Sequence, residues 1–154
     1  MIGKNRVIAI IPARGGSKSI PKKNLCFLNG KPLLAWTLEV AKKTDIIDRI
    51  IVSTDEFNYL QHCYDLSNFD HFLRPKYLSG DSIGDVEVLV HALHSAETTF
   101  KELYSCVVMI QPTCPLRLRK YTEDTINTEE YTFVADPFLR LSLPVNTILN
   151  LLAT

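Results

Sequence analysis

Residues Ile8–Asn24 read IAIIPARGGSKSIPKKN, and the fold and the chemistry of the chain both hinge on this stretch. It begins inside a short apolar run, Val7–Ile11, with the length and β-branched content of a buried strand. The run breaks at Pro12 and passes through Ala13, Arg14, Gly15 and Gly16. Arg14, Lys18, Lys22 and Lys23 follow within ten residues of one another, with no acid among them. Gly15 and Gly16 let backbone N–H groups approach an oxyanion closely, and the cations neutralise it. A plain solvated turn has the same composition. The segment is no Walker P-loop, because Gly-Lys-Ser/Thr is absent at the required spacing, and it has no GxGxxG dinucleotide fingerprint. Its position argues for a ligand, since open α/β sheets bind at the carboxyl ends of their strands.

Working outward, Leu25–Pro32 carries a turn signal at Asn29-Gly30, and Pro32 suits the first turn of a helix over Leu33–Lys43. Leu34, Thr37, Leu38 and Ala41 share one face of that helix. Arg49–Ser53 reads as a second buried strand, which completes a strand–helix–strand unit. A helix is expected over Glu56–Asp65 with Phe57, Leu60 and Tyr64 inward, then a short strand over Phe69–Leu73. Asp55 is expected to cap the helix that follows it. Asp81 or Ser82 is expected to cap a further helix, Asp85–Ala96, whose inward side carries Val86, Leu89, Val90 and Leu93. Tyr104–Ile110 reads as the clearest central strand and runs into Gln111-Pro112-Thr113-Cys114-Pro115-Leu116-Arg117. Alternating strands and helices, with strands apolar on both faces, predict a doubly wound, Rossmann-like α/β fold: three α/β/α layers around a mostly parallel sheet. Residues 1–154 are read as a single domain whose last part, 118–154, is unassigned, with Tyr131–Ala135 a candidate strand.

At 154 residues the chain is long enough to bury a real core. Formal net charge is zero, so nothing global draws it to nucleic acid or to an anionic membrane, and the positive charge of the first loop is local. No apolar run approaches the ~20 residues that span a bilayer. The N-terminal apolar stretch reads as a first strand and not as a signal peptide. Cys26, Cys63, Cys106 and Cys114 are scattered without metal spacing, which suits reduced thiols and a cytoplasmic location. His91 and His94, three apart on a predicted helix, read as a surface or interface pair.

Six motifs then stand in order: IPARGGSK, IPKKN, LNGKPLLAWTLE, IIVSTD, FLRPKYL and QPTCPLR. Together, over Val7–Arg117, they resemble the CMP-N-acylneuraminate synthetase family of cytidylyltransferases, of the nucleotide-diphospho-sugar transferase fold type. The GGSK and KKN forms favour this nonulosonic branch over the 3-deoxy-manno-octulosonate enzymes, which share the opening IPAR. The resemblance implies transfer of CMP from CTP to a nine-carbon sugar acid, with release of pyrophosphate, in a cytoplasmic enzyme using Mg2+ and acting as a homodimer. It assigns Arg14 and Lys23 as catalytic, phosphate-binding cations, joined at the nucleotide by Ala13, Gly15, Lys18 and Asn24. Arg74 would read the cytosine ring, and Gln111 would bind the sugar substrate. No metal ligand is identified.

Three departures from the family pattern bear on the site. Ser19 and Lys22 stand where glycine is usual, which is tolerable only if neither position needs positive φ. Gly84-Asp85 stands where adjacent serines are usual, adding an acid near the bound anions. The family also continues beyond this length, with a dimer-forming element and an Asp-bearing strand that holds the metal; neither has a counterpart after Arg117. Three readings result: a cytidylyltransferase for sialic-type acids, one for another acid sugar (pseudaminic, legionaminic or octulosonic), and a protein that binds CTP with impaired turnover.

Overall fold

The structure is a computed structural model that describes residues 6–56, 58–61, 69–127 and 142–144. Strand β1 (Val7–Pro12) leads through a two-stranded hairpin, β2 (Phe27–Leu28) and β3 (Lys31–Pro32), into helix α1 (Leu33–Lys43). Next come β4 (Arg49–Thr54), the short α2 (Asn58–Gln61), β5 (Asp70–Leu73), α3 (Asp85–Phe100), β6 (Cys106–Met109), α4 (Arg119–Asn127) and β7 (Ser142–Pro144). Among the described residues the main sheet has five strands in the order β5-β4-β1-β6-β7. β1 pairs in parallel with β4 and β6, β4 pairs in parallel with β5, and β7 runs antiparallel to β6. The expected mostly parallel α/β/α architecture is therefore the one observed.

The period-two alternation of β1 builds two cores at once. Ala9 and Ile11 face one side, where they meet Leu34, Leu38 and Ala41 of α1. Ile8 and Ile10 face the other, against Leu89, Ala92, Leu93 and Ala96 of α3. The predicted inward face of α1 is buried at all four positions. On α3 the buried stripe is centred on Val88, Leu89, Ala92, Leu93 and Ala96, with Val86 and Val90 packed at its edge. α3 also runs one turn past Ala96, to Phe100. Gly84 occupies its N-cap without a side-chain cap, so neither Asp81 nor Ser82 caps it; Asp85 and Glu87 in the first turn complement the helix dipole instead.

Asn29 (φ 49°) and Gly30 (φ 86°) form the hairpin tip, and two positive φ values in a two-residue loop are what an Asn-Gly turn supplies. The hairpin is held to α1 by Trp36 Nε1–H donating to Leu28 O at 2.9 Å. α4 lies beside α1 and turns Thr122 and Ile126 inward. Leu60 of α2 is buried, whereas the expectations for Phe57, Tyr64 and Tyr131–Ala135 fall outside the described residues. Among the described residues no helix is long and apolar enough to cross a membrane.

An ionic cluster closes the amino end of the sheet. Arg49 Nη1 donates to Asp70 Oδ2 at 2.6 Å and Nη2 to Glu102 Oε2 at 3.1 Å, while its guanidinium lies 3.8 Å from the Phe100 ring centre. Arg6 also pairs with Glu102, and Tyr104 O–H donates to the same carboxylate at 2.9 Å. These partners, Arg6 foremost, pull the Glu102 carboxyl down from 4.5 to about 2. A depressed carboxylate stabilises the fold above its unfolded value, and that contribution is lost as pH falls through the folded value. The advantage of wild type over Glu102→Gln in thermal unfolding is thus predicted to be full above pH 5 and to shrink steadily from about pH 4.5 to 2. A difference that stays constant over that range would contradict this assignment.

Candidate active site

Three loops at the carboxyl ends of the strands enclose a cleft of about 320 Å³. The loop after β1 contributes Arg14, Ser17, Lys23 and Asn24; the segment after β5 contributes Arg74, Gly80, Asp81 and Asp85; the loop after β6 contributes Gln111, Pro112 and Thr113. A second cavity, of about 440 Å³ beside Arg49 and Asp70, opens at the amino ends of the strands, the side that open α/β sheets do not use for ligands. Five sequence-predicted site residues, Arg14, Lys23, Asn24, Arg74 and Gln111, thus line one cleft. Ala13, Gly15 and Lys18 do not line it.

Their positions follow from hydrogen bonds made as the chain leaves β1. Ala13 is fully buried and its N–H donates to Ser53 O at 2.8 Å, which carries the β1–β4 pairing one residue past Pro12. Gly15 N–H donates to Asp55 Oδ1 at 2.7 Å. Asp55 therefore ties down the first loop, and its neighbour Thr54 accepts the Glu56 N–H at 3.1 Å; the cap expected of Asp55 turns on residue 57, which falls outside the described residues. Asn24 is buried and its side-chain amide donates to Arg14 O at 3.4 Å, so it positions the Arg14 backbone.

Arg74 is a charged side chain only 5% exposed. Its backbone N–H donates to Thr54 O at 2.5 Å, its Nε to Ser53 Oγ at 3.2 Å and its Nη2 to Ser53 O at 2.9 Å. Burial lowers its pKa, Asp55 and Asp85 offset part of that, and Arg14 adds repulsion. A guanidinium remains protonated under such shifts, so Arg74 presents a fixed positive charge to the cleft. It also depresses His91, which burial already holds below its ordinary value. His91 has a buried, unpartnered Nδ1 and His94 is exposed, so the two do not form a surface pair.

At the mouth of the cleft, Arg14 Nη1 lies 2.9 Å from Asp81 Oδ1, and Lys18 Nζ lies 3.0 Å from Asp81 Oδ2. Lys18, then Arg14, hold the Asp81 carboxyl below its ordinary range. Sequence reasoning missed this role of Asp81, which pairs with a residue 67 positions away. Ser17 and Thr113 were also missed, although both are hydroxyl residues inside quoted motifs. Acids therefore stand near most of the cations around the cleft: Asp81 beside Arg14 and Lys18, and Asp55 and Asp85 within electrostatic reach of Arg74.

A family model described as cytidylyltransferase matches residues 8–143. The chain belongs to that family. It is 39% identical over 116 residues to an N-acylneuraminate cytidylyltransferase of Escherichia coli, a match covering 74% of this chain and 26% of that protein. It is 31% identical over 136 residues to a pseudaminic acid cytidylyltransferase of Campylobacter jejuni, covering 85% of this chain and 58% of the relative. The chain spans less than two thirds of the length of either. Among solved structures, a CMP:2-keto-3-deoxy-manno-octonic acid synthetase complexed with CTP superposes with a TM-score of 0.64 at 21% identity, over 79% of this chain and 46% of that one. A 4-diphosphocytidyl-2C-methyl-D-erythritol synthase gives 0.63 at 14% identity, over 91% of this chain and 68% of that one. At those identities the likeness shows the fold.

One family position carries a cost in this chain. Lys22, where the pattern has glycine, sits at φ 50° and ψ 42° in the left-handed region. Ser19, the other departure, is not among the positive-φ residues. A side chain in that region meets its own carbonyl and loses roughly 1–2 kcal/mol. Lys22→Gly is predicted to stabilise the fold by about 0.5–1 kcal/mol after allowance for glycine's looser unfolded state, read from urea unfolding. A loss of stability would show that the Lys22 side chain contributes contacts that outweigh the strain.

Proposed function

We propose that the cleft binds CTP and that the protein transfers CMP from it to the anomeric hydroxyl of an acidic nonulosonic sugar. The observation that carries this reading is the convergence of Arg14, Lys23 and Arg74 on one cleft at the carboxyl edge of the sheet. In the reaction the sugar hydroxyl attacks the α-phosphorus in line. An O–P bond forms, the bond to the bridging oxygen of the β-phosphate breaks, and pyrophosphate leaves with the electron pair while the hydroxyl proton passes to solvent. The protein's task is to neutralise the polyphosphate and hold two anions together. Arg14 and Lys23 meet the phosphates and the charge that develops on the leaving group. Arg74, locked by Ser53, offers a rigid fork to the pyrimidine, and Gln111 offers amide donor and acceptor groups to the sugar.

A divalent ion, Mg2+ by the family resemblance, would supply further neutralisation of the triphosphate. The residues at hand do not fit such an ion unaided. Among the described residues no three His, Cys, Asp or Glu side chains converge on one point, and Asp55 and Asp81 are taken up by Gly15 N–H and by Arg14 and Lys18. The sugar acid is assigned as a class, because an N-acylneuraminate cytidylyltransferase, a pseudaminic acid cytidylyltransferase and a CMP-N,N'-diacetyllegionaminic acid synthase each match over 70% or more of this chain.

Calorimetric titration with CTP and with ATP, with and without Mg2+, tests the reading. CTP is expected to bind at least about tenfold tighter than ATP, because a site shaped to hydrogen-bond one base rejects the other. Arg14→Ala is expected to weaken CTP about tenfold or more, the worth of one charge-assisted contact, while exposed Lys120→Ala stays within about twofold. Pyrophosphate release in a panel of nonulosonic and octulosonic acids then identifies the acceptor, and tight CTP binding without release with any of them marks a binding protein. Equal affinity for CTP and ATP would contradict the proposal.

A further inference from the structure

Two cations of the first loop already hold an anion, and the chain itself provides it. Each oxygen of the Asp81 carboxylate faces one cation, Oδ1 with Arg14 at 2.9 Å and Oδ2 with Lys18 at 3.0 Å. Asp81 belongs to the segment after β5, so the contact spans the mouth of the cleft from one wall to the other. A carboxylate and a terminal phosphate present the same forked pair of acceptor oxygens to a guanidinium and an ammonium.

Other roles for Asp81 are unsupported by its surroundings. It does not cap α3, whose N-cap is Gly84. Nor is it a strong strut: the Arg14, Asp81 and Lys18 side chains are 37%, 47% and 80% exposed, and ion pairs in water of this kind hold weakly. A weak, geometrically apt and solvent-facing contact between a carboxylate of the cleft and two cations of its first loop is what a displaceable occupant looks like.

We infer that Asp81 is an internal anion that occupies Arg14 and Lys18 in the unliganded protein and is displaced by an incoming polyphosphate. The inference rests on reading the cleft as a nucleotide site. Displacement favours a ligand carrying several negative charges, which recovers more than the carboxylate gives up, over one carrying a single charge. The same carboxylate is poised to return to the cations once pyrophosphate has left, which lowers the hold on a product that retains one phosphate.

Inorganic pyrophosphate is the probe, titrated calorimetrically into the full chain at low ionic strength with a chelator present. Asp81→Asn, which keeps the side-chain shape and removes the charge, is expected to bind pyrophosphate about fivefold tighter than wild type, the worth of two exposed ion pairs. The gain should shrink toward onefold as salt is raised, because exposed pairs are screened. Asp81→Ala should shift in the same direction. Unchanged or weaker binding in both variants would overturn the inference and make Asp81 either inert or a support for Arg14; absence of pyrophosphate binding in every form would overturn it as well. Because pyrophosphate has no base, a fivefold gain together with equal CTP and ATP affinities would sink the cytidine reading alone and leave the role of Asp81 standing.

Discussion

The two-sided hydrogen bonding of β1 is the constraint on which the remaining structure depends. The strand is paired from Ile8↔Arg49 to Pro12↔Ser53 on one edge and from Val7↔Cys106 to Ile10↔Met109 on the other. Both faces are buried, so a slip of one residue would exchange Ile8 and Ile10 with Ala9 and Ile11 between two differently shaped cores. Its end point is therefore fixed. Proline cannot donate to a ladder, and after Pro12 a single bond from Ala13 N–H to Ser53 O delivers the chain into the cationic loop. The position of Arg14 over the cleft is a consequence of strand register.

Around that loop, three cations, Arg14, Lys18 and Arg74, each have a carboxylate in reach. Arg74 is buried against Ser53 with Asp55 and Asp85 in electrostatic reach, while Asp55 also receives the Gly15 N–H and Asp81 bridges Arg14 and Lys18. Such compensation lets a site rich in positive charge exist without polyphosphate, at the expense of some of its attraction for one. The acid that the chain carries at Asp85, in place of the family's usual serine, belongs to the same balance: it offsets the lowering of the Arg74 pKa that burial imposes. A net charge of zero is compatible with the proposed polyanion site, since the field that matters is set by a few side chains around the cleft and not by the chain total.

Much of this was legible in the sequence, for identifiable reasons. β1, α1, β4 and β6 are long apolar or strongly periodic segments, and the inward face of α1 could be read residue by residue. Asn29-Gly30 announced its hairpin because few other dipeptides accept two positive φ values. α4 was missed because it is polar on most of its surface and turns little more than Thr122 and Ile126 inward, too sparse for a period. β7 is three residues long and ends in Pro144. At the candidate site, Arg14, Lys23, Asn24, Arg74 and Gln111 were proposed from their motifs, and the fold brings all five to one cleft. The roles of Asp55 and Asp81 were not, because each depends on a partner 40 or 67 residues away that no local pattern reveals. Lys22 is the reverse case: glycine's usual place in the pattern pointed to a left-handed residue, and the chain adopts that conformation with lysine.

A crystal structure of the protein soaked with CTP tests the central claim most directly. The account predicts triphosphate oxygens within hydrogen-bonding distance of Arg14 and Lys23, the cytosine ring beside Arg74, and the Asp81 carboxylate turned away from Arg14 and Lys18. Nucleotide bound instead at the amino ends of the strands, beside Arg49 and Asp70, with Asp81 still bridging its two cations, would contradict it.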